Sequence, residues 1–424
     1  MRLKSIKDFI GIPVNSQTAS ALSLLSAKAV RERAHRMLAI GLDDWLPHFR
    51  IDLRRMDATV DLVLETTRKA YPALGIPFHS RWRHFVAQGQ DRWAAINKIS
   101  TWSDAAAQAR TEFDLAIVSV FLDAGAGPAW RYLDPATGVS VGRSEGLGLA
   151  SLAMFAGGLF STDPDHPLRA DADALARIDV ANLRKDLQVS ETNPLVGIEG
   201  RAELLQRLGA LVTSRPEIFA INDTPRPGGL FDRMASLATG GQLPAPVILT
   251  ELLHHLGSVW PSRLTLGGIP LGDCWRHPSL TTGDSTSELV PLHKLSQWLA
   301  YSLIEPLQRA GISVTNIDGL TGLAEYRNGG LFVDAGVLCF RDPSDAKREH
   351  DVASHLVVEW RALTVALLDR LAADMRQRLA LDATSMPLAM ILEGGSWAAG
   401  RALARERRPD GSPPVRVVSD GTVF

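Results

Sequence analysis

The chain has 424 residues, 46% hydrophobic and 22% charged, which is enough apolar material for a sizeable core and length enough for two or three domains. Its 45 basic and 47 acidic residues form neither a like-charged block nor a basic stripe, so no nucleic-acid partner is indicated. No apolar run approaches the ~18 residues of a membrane span, and the N-terminus lacks the pattern of a secretory signal. We therefore expect a cytoplasmic protein without a membrane partner.

Apolar residues recur at three- and four-residue spacings along most of the chain, which predicts a mainly α, multi-helix globular fold. The clearest pattern covers residues 351–379. Further helices are predicted at 16–40, 56–70, 103–122, 146–160, 202–211, 230–237, 246–256, 292–310 and 393–405.

Strand signals are few, and no βαβ alternation is present. We expect a strand at 138–141, a small β-hairpin of 330–334 with 336–340, and a C-terminal strand at 415–419. Residues 161–174 carry two prolines and four aspartates. They either form a surface loop of one compact domain (1–424) or join an N-terminal helical lobe (1–160) to a C-terminal lobe (175–424) with most of the pocket.

Residues 316–330 concentrate polar chemistry among glycines, which permit close approach of the backbone to a ligand. This segment supplies two carboxylates (Asp318 and Glu325), a phenol (Tyr326), a guanidinium (Arg327) and an amide (Asn328). Such groups suit acid–base catalysis, hydrogen bonding and anion pairing. The alternative is an ordinary loop in which the charged residues form structural ion pairs.

A second polar cluster covers residues 273–298. His293 and Gln297 are four residues apart, so on a helix they share a face, with Lys294 beside them. Trp275 is a candidate to stack on a planar base or ureide, and the alternative is that it anchors the core.

A third cluster, residues 123–146, contains the candidate ligands Asp123, Trp130, Arg143 and Glu145. Its end, GRSEG at 142–146, matches the GxSxG nucleophile elbow between a strand and a helix. The chain lacks the alternating strands of an α/β-hydrolase and an HGGG-type segment before the elbow. We interpret the match as chance and expect Ser144 to cap the following helix, with a serine hydrolase using Ser144 as an alternative.

Several uncommon strings occur in order along the chain, and together they resemble the uracil-catabolism (URC route) family of fungi and bacteria. They are residues 142–146 (GRSEG), 260–263 (WPSR), 292–298 (LHKLSQW), 323–330 (LAEYRNGG) and 419–424 (SDGTVF). The resemblance implies a pathway in which uracil becomes a nucleotide, its ring is opened and urea is released.

Residues 324–327 (AEYR) are also similar to the Ala-Asp-Tyr-Arg string of the queuosine-salvage N-glycosylases. That similarity implies a helical architecture like that of the helix-hairpin-helix DNA glycosylases. Here the acid is Glu325 instead of aspartate, and the extra methylene moves the carboxylate by roughly an ångström, a shift that matters where positioning carries catalysis.

These resemblances predict a hydrolase that cleaves the N-glycosidic bond of a ribosyl-urea or ring-opened uridine nucleotide and releases urea. Its partner would be a phosphorylated ribosyl-urea or pyrimidine nucleotide, with no cofactor and no metal. Glu325 is the predicted catalytic carboxylate, and either Asp123 or Asp318 is the second. A non-catalytic uracil- or nucleotide-binding regulatory protein is a further alternative.

The remaining predicted site residues bind the substrate. Arg327, Arg143 and Lys294 would clamp its phosphate or carboxylate. Directional hydrogen bonds to the urea or ribose would come from Tyr326, Asn328, His293 and Gln297.

Overall fold

Helices carry most of the described chain, which comprises residues 15–123 and 125–418 in this computed structural model. Between them lie only short two-stranded pairs. The α-helices are α1 (Ser16–Leu24), α2 (Ala27–Leu42), α3 (Met56–Ala70), α4 (Arg92–Ile99), α5 (Ala105–Phe121), α6 (Arg143–Ala156), α7 (Ala172–Ala176), α8 (Val180–Asp186), α9 (Ile198–Ser214), α10 (Pro216–Phe219), α11 (Leu230–Leu237), α12 (Ala245–Leu256), α13 (Lys294–Arg309), α14 (Tyr326–Asp334), α15 (His355–Leu379), α16 (Leu388–Ile391) and α17 (Trp397–Arg407). The predicted mainly α, multi-helix fold is confirmed.

Side-chain caps fix several helix starts. Asp104 accepts a hydrogen bond from the Ala107 backbone at the start of α5, and Ser354 accepts one from Val357 at the start of α15. Ser26 caps α2 and divides the predicted helix 16–40 into α1 and α2. Each cap satisfies a backbone N–H that has no partner within the helix.

The predicted hairpin of 330–334 with 336–340 is wrong. Residues 330–334 belong to α14, whose first turn is capped by Glu325 and whose glycines allow close packing. A Cβ on Gly329 would lie 2.6 Å from the Trp360 ring, so the glycine content that suggested a turn instead serves helix packing. Only the second half of the predicted hairpin is a strand, and it pairs with a distant segment.

The strands are β1 (Phe49–Ile51), β2 (Val86–Ala87), β3 (Gln90–Asp91), β4 (Arg131–Asp134), β5 (Val139–Gly142), β6 (Ala220–Ile221), β7 (Thr224–Pro225), β8 (Gln242–Pro244), β9 (Thr265–Leu266), β10 (Ile269–Pro270), β11 (Cys274–Arg276), β12 (Leu289–Pro291), β13 (Ser313–Thr315), β14 (Leu338–Phe340), β15 (Glu349–Asp351) and β16 (Arg416–Val418). Antiparallel pairs join β1 to β14, β2 to β3, β4 to β5, β6 to β7, β9 to β10 and β11 to β12. The pairs β8–β13 and β15–β16 are parallel.

Two predicted strands are therefore present. The strand expected at 138–141 is β5, which forms a hairpin with β4. The expected C-terminal strand is β16, which pairs in parallel with β15, while residues 419–424 lie outside the described residues. The end of the described chain is thus hydrogen-bonded to the body of the protein.

Two long helices organise the core. Helix α15 is buried on most of its surface and packs against α2, α3 and α14. Helix α5 is almost entirely buried from Ala109 onward and packs against α6 and α13. This packing brings together the N-terminal ends of α6, α13 and α14, which belong to distant parts of the sequence.

The candidate linker at 161–174 has defined contacts. Asp171 accepts hydrogen bonds from the backbone and hydroxyl of Thr162 and also caps α7. The two-lobe division and the helix-hairpin-helix DNA-glycosylase-like arrangement stay predictions.

Within the described ranges, no helix is long and apolar enough to cross a membrane.

Candidate functional site

Charged and aromatic side chains gather where α6, α13, α14 and α17 begin. Lys294, Tyr326, Arg143 and Trp397 are the first residues of these helices, and Asp123 follows the end of α5. We call this group the charged pocket. Its members are Arg81, His84, Asp123, Arg143, Glu145, Lys294, Glu325, Tyr326, Arg327, Trp397 and Arg401.

Glu325 is the N-cap of α14. Its two carboxylate oxygens accept hydrogen bonds from the backbone N–H groups of Arg327 (2.8 Å) and Asn328 (2.5 Å). Glu325 is 7% exposed. Each oxygen keeps a second lone pair, so the carboxylate is held in one orientation and can still accept a hydrogen bond from a ligand or water.

A buried ion pair holds the backbone next to Glu325. Arg361 binds Asp273 through two contacts of 2.8 Å and donates to the Ala324 carbonyl at 3.1 Å. Burial alone would raise the pKa of Asp273, but the charge and hydrogen bonds of Arg361, with those from Lys294 N and Trp275, bring it to about 2. Asp273 also accepts the Lys294 backbone N–H at 2.9 Å, so one ion pair positions both Glu325 and Lys294.

Asp123 is held by two neighbours. Arg81, which is fully buried, lies 3.0 Å from one carboxylate oxygen. The Ser144 hydroxyl lies 2.6 and 2.8 Å from the two oxygens. Ser144 therefore does not cap α6 as expected: the N-cap position is Gly142, which has no side-chain cap, and the hydroxyl serves Asp123.

His84 completes this group. Its Nδ1 lies 3.2 Å from Arg81 Nη1 and 3.1 Å from the Ser144 hydroxyl. Burial and the adjacent Arg81 lower the pKa of His84 to about 4. A serine nucleophile needs a histidine that takes its proton and an acid on the far ring nitrogen. Here the acid contacts the serine directly and Arg81 occupies the near nitrogen, so this arrangement is not a hydrolase triad.

Three cations of the pocket have no anionic partner in the described ranges. The side chains of Lys294, Arg143 and Arg327 form no hydrogen bond or ion pair with another described residue. Arg327 is only 5% exposed and lies over the rings of Trp397 (4.7 Å) and Tyr326 (5.1 Å). Its guanidinium nitrogens are not among the side-chain atoms sealed from solvent without a partner, so they can reach a bound anion, which arginine can contact through two donors.

The environment of Lys294 and Arg143 agrees with a shared pocket. Burial lowers the pKa of Lys294, and the carboxylates of Glu325 and Asp123 are the charges that most oppose this shift. Burial also lowers the pKa of Arg143. Of its ionisable neighbours, Tyr326 acts to raise this pKa and Arg327 acts to lower it. Arg143 has a φ of 59°, a backbone conformation that costs a non-glycine residue energy and is frequent at functional sites.

Glu145 and Arg401 form the remaining ion pair of the pocket. Their side chains meet at 2.7 Å, and the Arg401 guanidinium lies 5.5 Å from the Trp397 ring. Trp397 is thus flanked by Arg401 and Arg327. Arg81 pairs with Asp123 as well, so Glu325 is the remaining carboxylate of the pocket against the three unpaired cations, and the described residues of the pocket carry an excess of two positive charges.

Three predicted site residues have other partners. Asp318 pairs with Arg376 at 2.5 Å and accepts the Leu388 backbone N–H at 2.6 Å, away from the charged pocket. Gln297 is fully buried and donates to the Thr321 hydroxyl. His293 is bonded through Nε2 to the Leu24 carbonyl.

The unbonded Nδ1 of His293 lies beside a small cavity. This cavity has a volume of about 20 Å³ and is also lined by Asp273. It is large enough for one water molecule, which would satisfy Nδ1.

Trp130 and Trp275 are buried, and each has a structural hydrogen bond. Trp130 donates to the Leu187 carbonyl and Trp275 to Asp273. Neither indole presents an open face for stacking on a ligand, which agrees with the core-anchor interpretation. Asn328 is fully buried, and its Oδ1 accepts from the Ser396 hydroxyl, so it links α14 to the segment before α17.

Sequence reasoning missed four members of the pocket: Arg81, His84, Trp397 and Arg401. Arg81 and His84 lie in a short 3₁₀ helix (Arg81–Phe85) without glycines or a recognisable motif. The four-residue spacing of Trp397 and Arg401 does predict a shared helix face, but nothing local indicates what that face contacts. In the described ranges, no group of three or more His, Cys, Asp or Glu residues is arranged to hold a metal ion.

Comparison with known proteins agrees with the resemblance seen in the sequence. The family described as "Protein of unknown function (DUF1688)" matches residues 23–424. "Protein urg3" of Schizosaccharomyces pombe is 37% identical over 417 residues, covering 96% of this chain and 100% of that protein. "Uracil catabolism protein 4" of Lachancea kluyveri is 36% identical over 411 residues, covering 89% of this chain and 92% of that protein. The chain therefore belongs to the DUF1688 family, and its predicted membership of the uracil-catabolism family is confirmed.

Proposed function

We propose that this protein acts in uracil catabolism as a hydrolase that cleaves the N-glycosidic C–N bond of a ribosyl-urea 5'-phosphate or a related ring-opened uridine nucleotide, releasing urea. The role in uracil catabolism is supported by the name of the Lachancea kluyveri relative. The observation that carries the proposal is the fixed carboxylate of Glu325 in one pocket with three cations that form no ion pair with a described residue.

The charge of the pocket favours a phosphorylated substrate. A phosphate monoester carries about −1.5 to −2 charges at pH 7. The excess of two positive charges from Arg143, Lys294 and Arg327 matches this value. Arginine can bind phosphate oxygens in pairs, and lysine adds a compact charge.

The fixed carboxylate suits the chemistry of glycosidic cleavage. Breaking a C1'–N bond passes through an oxocarbenium-like state, which a nearby carboxylate stabilises while it orients water. Glu325 has the required fixed orientation, because two backbone N–H groups hold it. Asp123 is a better candidate than Asp318 for the second carboxylate. It contacts Arg81 and Ser144 in the charged pocket, which also contains Glu325.

The decisive experiment is to incubate the purified protein with synthetic ribosyl-urea 5'-phosphate, and separately with uridine 5'-monophosphate, and to measure urea and free sugar phosphate. We expect urea release from ribosyl-urea phosphate, reduced in Glu325→Gln by a factor of about 10² to 10⁴. Asp104→Asn, which alters an exposed helix cap on α5, is the matched control and should retain activity.

Two outcomes would contradict the proposal. Thermal stabilisation by either compound without product over long incubation would indicate a binding protein instead. Labelling of Ser144 by a serine-reactive phosphonate, with full activity in Glu325→Gln, would indicate a serine hydrolase.

A further inference from the structure

We infer that His84 is a hydrogen-bond donor of fixed tautomer that binds the uncharged ureido carbonyl of the substrate; this inference rests on the proposed function. It assigns the two ends of the substrate to two parts of the pocket. The phosphate would face Arg143, Lys294 and Arg327, and the ureido group would face His84.

The tautomer follows from the hydrogen-bond network. A guanidinium has donors only, so Arg81 Nη1, which lies 3.2 Å from His84 Nδ1, favours the tautomer in which Nδ1 is the acceptor. The Ser144 hydroxyl donates its single hydrogen to Asp123, whose oxygens are nearer than the imidazole. We therefore assign the proton of the neutral ring to Nε2, away from the Arg81 guanidinium.

The Nε2 atom of His84 is accessible to a ligand. It forms no hydrogen bond with another described residue, and it is not among the buried polar atoms that are sealed from solvent without a partner. The imidazole lies 5.3 Å from the Trp298 ring and 6.5 Å from the Trp397 ring, which limits its movement. A donor held between two indoles offers a planar ligand one defined direction of approach.

The ring stays neutral throughout the physiological pH range. Its low pKa of about 4 follows from burial first and from the positive charge of Arg81 second, while Glu145 and Asp123 act in the opposite direction. The titratable groups around it are Arg81 and His79, which favour the neutral ring, Glu145 and Asp123, which oppose it, and Glu393, whose own pKa is lowered in part by His84. A neutral donor favours a carbonyl oxygen over a second phosphate, because it adds no charge.

The donor also has a role in bond cleavage. When the C1'–N bond breaks, its electron pair goes to the urea nitrogen and is shared with the ureido carbonyl oxygen. The attacking water forms the new C1'–O bond, and one of its protons reaches the urea nitrogen by way of Glu325. His84 keeps its own proton and stabilises the developing negative charge on the oxygen.

Two substitutions separate this role from a structural one. In His84→Asn the amide takes the place of Nδ1, so contact with Arg81 and Ser144 can persist while the distal donor is lost. In His84→Gln the amide reaches the place of Nε2, so the distal donor persists and the inner contact is lost. A ligand-binding role predicts that His84→Asn lowers kcat by about 10²-fold with little change in KM, and that His84→Gln recovers at least about tenfold.

The reverse order, with Asn harmless and Gln harmful, would overturn the inference. A nitrogen-15 NMR spectrum of the histidine side chains adds a test that needs neither turnover nor a variant. We expect the His84 proton on Nε2 between about pH 5 and 8, and a change of that N–H signal when ribosyl-urea 5'-phosphate binds. A proton on Nδ1, or an unchanged signal on saturation, would also overturn the inference.

These outcomes separate the inference from the proposed function. If the wild-type protein releases no urea, the proposed hydrolysis fails, and the NMR signal still decides whether His84 contacts the ureido compound. If the wild-type protein releases urea and His84→Asn does so equally fast, only the role of His84 fails.

Discussion

Arg361 and Asp273 form a two-contact ion pair, with both N–O distances at 2.8 Å. The Arg361 side chain is 1% exposed and that of Asp273 is 10% exposed. The pair joins the backbone before Glu325 to the first residue of α13. It therefore fixes the separation between the predicted catalytic carboxylate and Lys294.

Replacing Arg361 by methionine should destabilise the protein by about 3–5 kcal/mol, because Asp273 would keep a buried charge without its partner. The free energy of unfolding in urea measures this cost. The double variant Arg361→Met with Asp273→Leu is the control, and it should recover part of the loss because no unpaired charge remains. A double variant no more stable than the single one would contradict this explanation.

Acid should weaken the fold through Asp273. Its pKa is depressed from 3.8 to about 2 in the folded protein, so the folded state favours the ionised form. The resulting stabilisation, about 2 kcal/mol, is present above pH 3.8 and is lost as the pH falls through 2. Urea unfolding of wild type and Asp273→Asn across this interval should show a component in the wild type that the variant lacks, and parallel pH curves would contradict the prediction.

Replacing Arg327 by methionine should abolish phosphate binding while leaving the fold intact. The guanidinium lies over the rings of Trp397 and Tyr326 and pairs with no described carboxylate, so its removal should cost at most about 0.5–1 kcal/mol for each ring contact. Calorimetry with inorganic phosphate and thermal unfolding measure the two effects. Arg54→Met, at an exposed arginine, is the matched control. Lower stability together with unchanged phosphate binding would show that Arg327 is structural.

Phosphate affinity should decline at alkaline pH because of Lys294. Burial lowers the pKa of its ammonium group, so the positive charge is present below that pKa and is lost as the pH rises through it. Affinity for a phosphate monoester should therefore fall at a pH below the ordinary value of 10.5 for lysine. Lys294→Arg keeps its charge and should remove this dependence, and an identical alkaline decline in both proteins would exclude Lys294 as the cause.

Asp123 and Asp318 should differ in what their loss affects. Asp123→Asn should lower urea release by about 10² or more, because the residue belongs to the pocket. Asp318→Asn should leave kcat nearly unchanged and cost about 1–3 kcal/mol of stability, because its contacts with Arg376 and the Leu388 backbone are structural. Assays of both variants at equal folded fraction make the comparison. A catalytic loss in Asp318→Asn alone would reverse the assignment.

Much of the fold was predictable because apolar residues at three- and four-residue spacings mark the buried face of a helix. The bounds of α3 and α11 agree with the predicted helices 56–70 and 230–237. Helix α14 was missed because its glycines suggest turns and because Glu325 is not a preferred capping residue. Its contact with Trp360, which explains Gly329, is visible only in three dimensions.

The site was predictable in part for the same reason. Glu325, Tyr326 and Arg327 stand together in the sequence, so their shared position at the start of α14 is a local property. Asp123 contacts Arg81 and Asp318 contacts Arg376, and both are tertiary contacts. The sequence alone therefore could not decide which aspartate is the second carboxylate of the site. Burial of Trp130 and Trp275 likewise depends on packing.

A π-helical turn, Leu392–Ser396, immediately precedes Trp397, and a Cβ on Gly395 would lie 2.7 Å from the Val63 carbonyl oxygen. A π turn holds one residue more than an α turn, so it sets the rotational phase of everything after it. Deleting one glycine there would rotate α17 by about 100° relative to α16 and carry Trp397 and Arg401 away from Arg327 and Glu145. The number of residues in this turn is thus as much a requirement of the pocket as their identity.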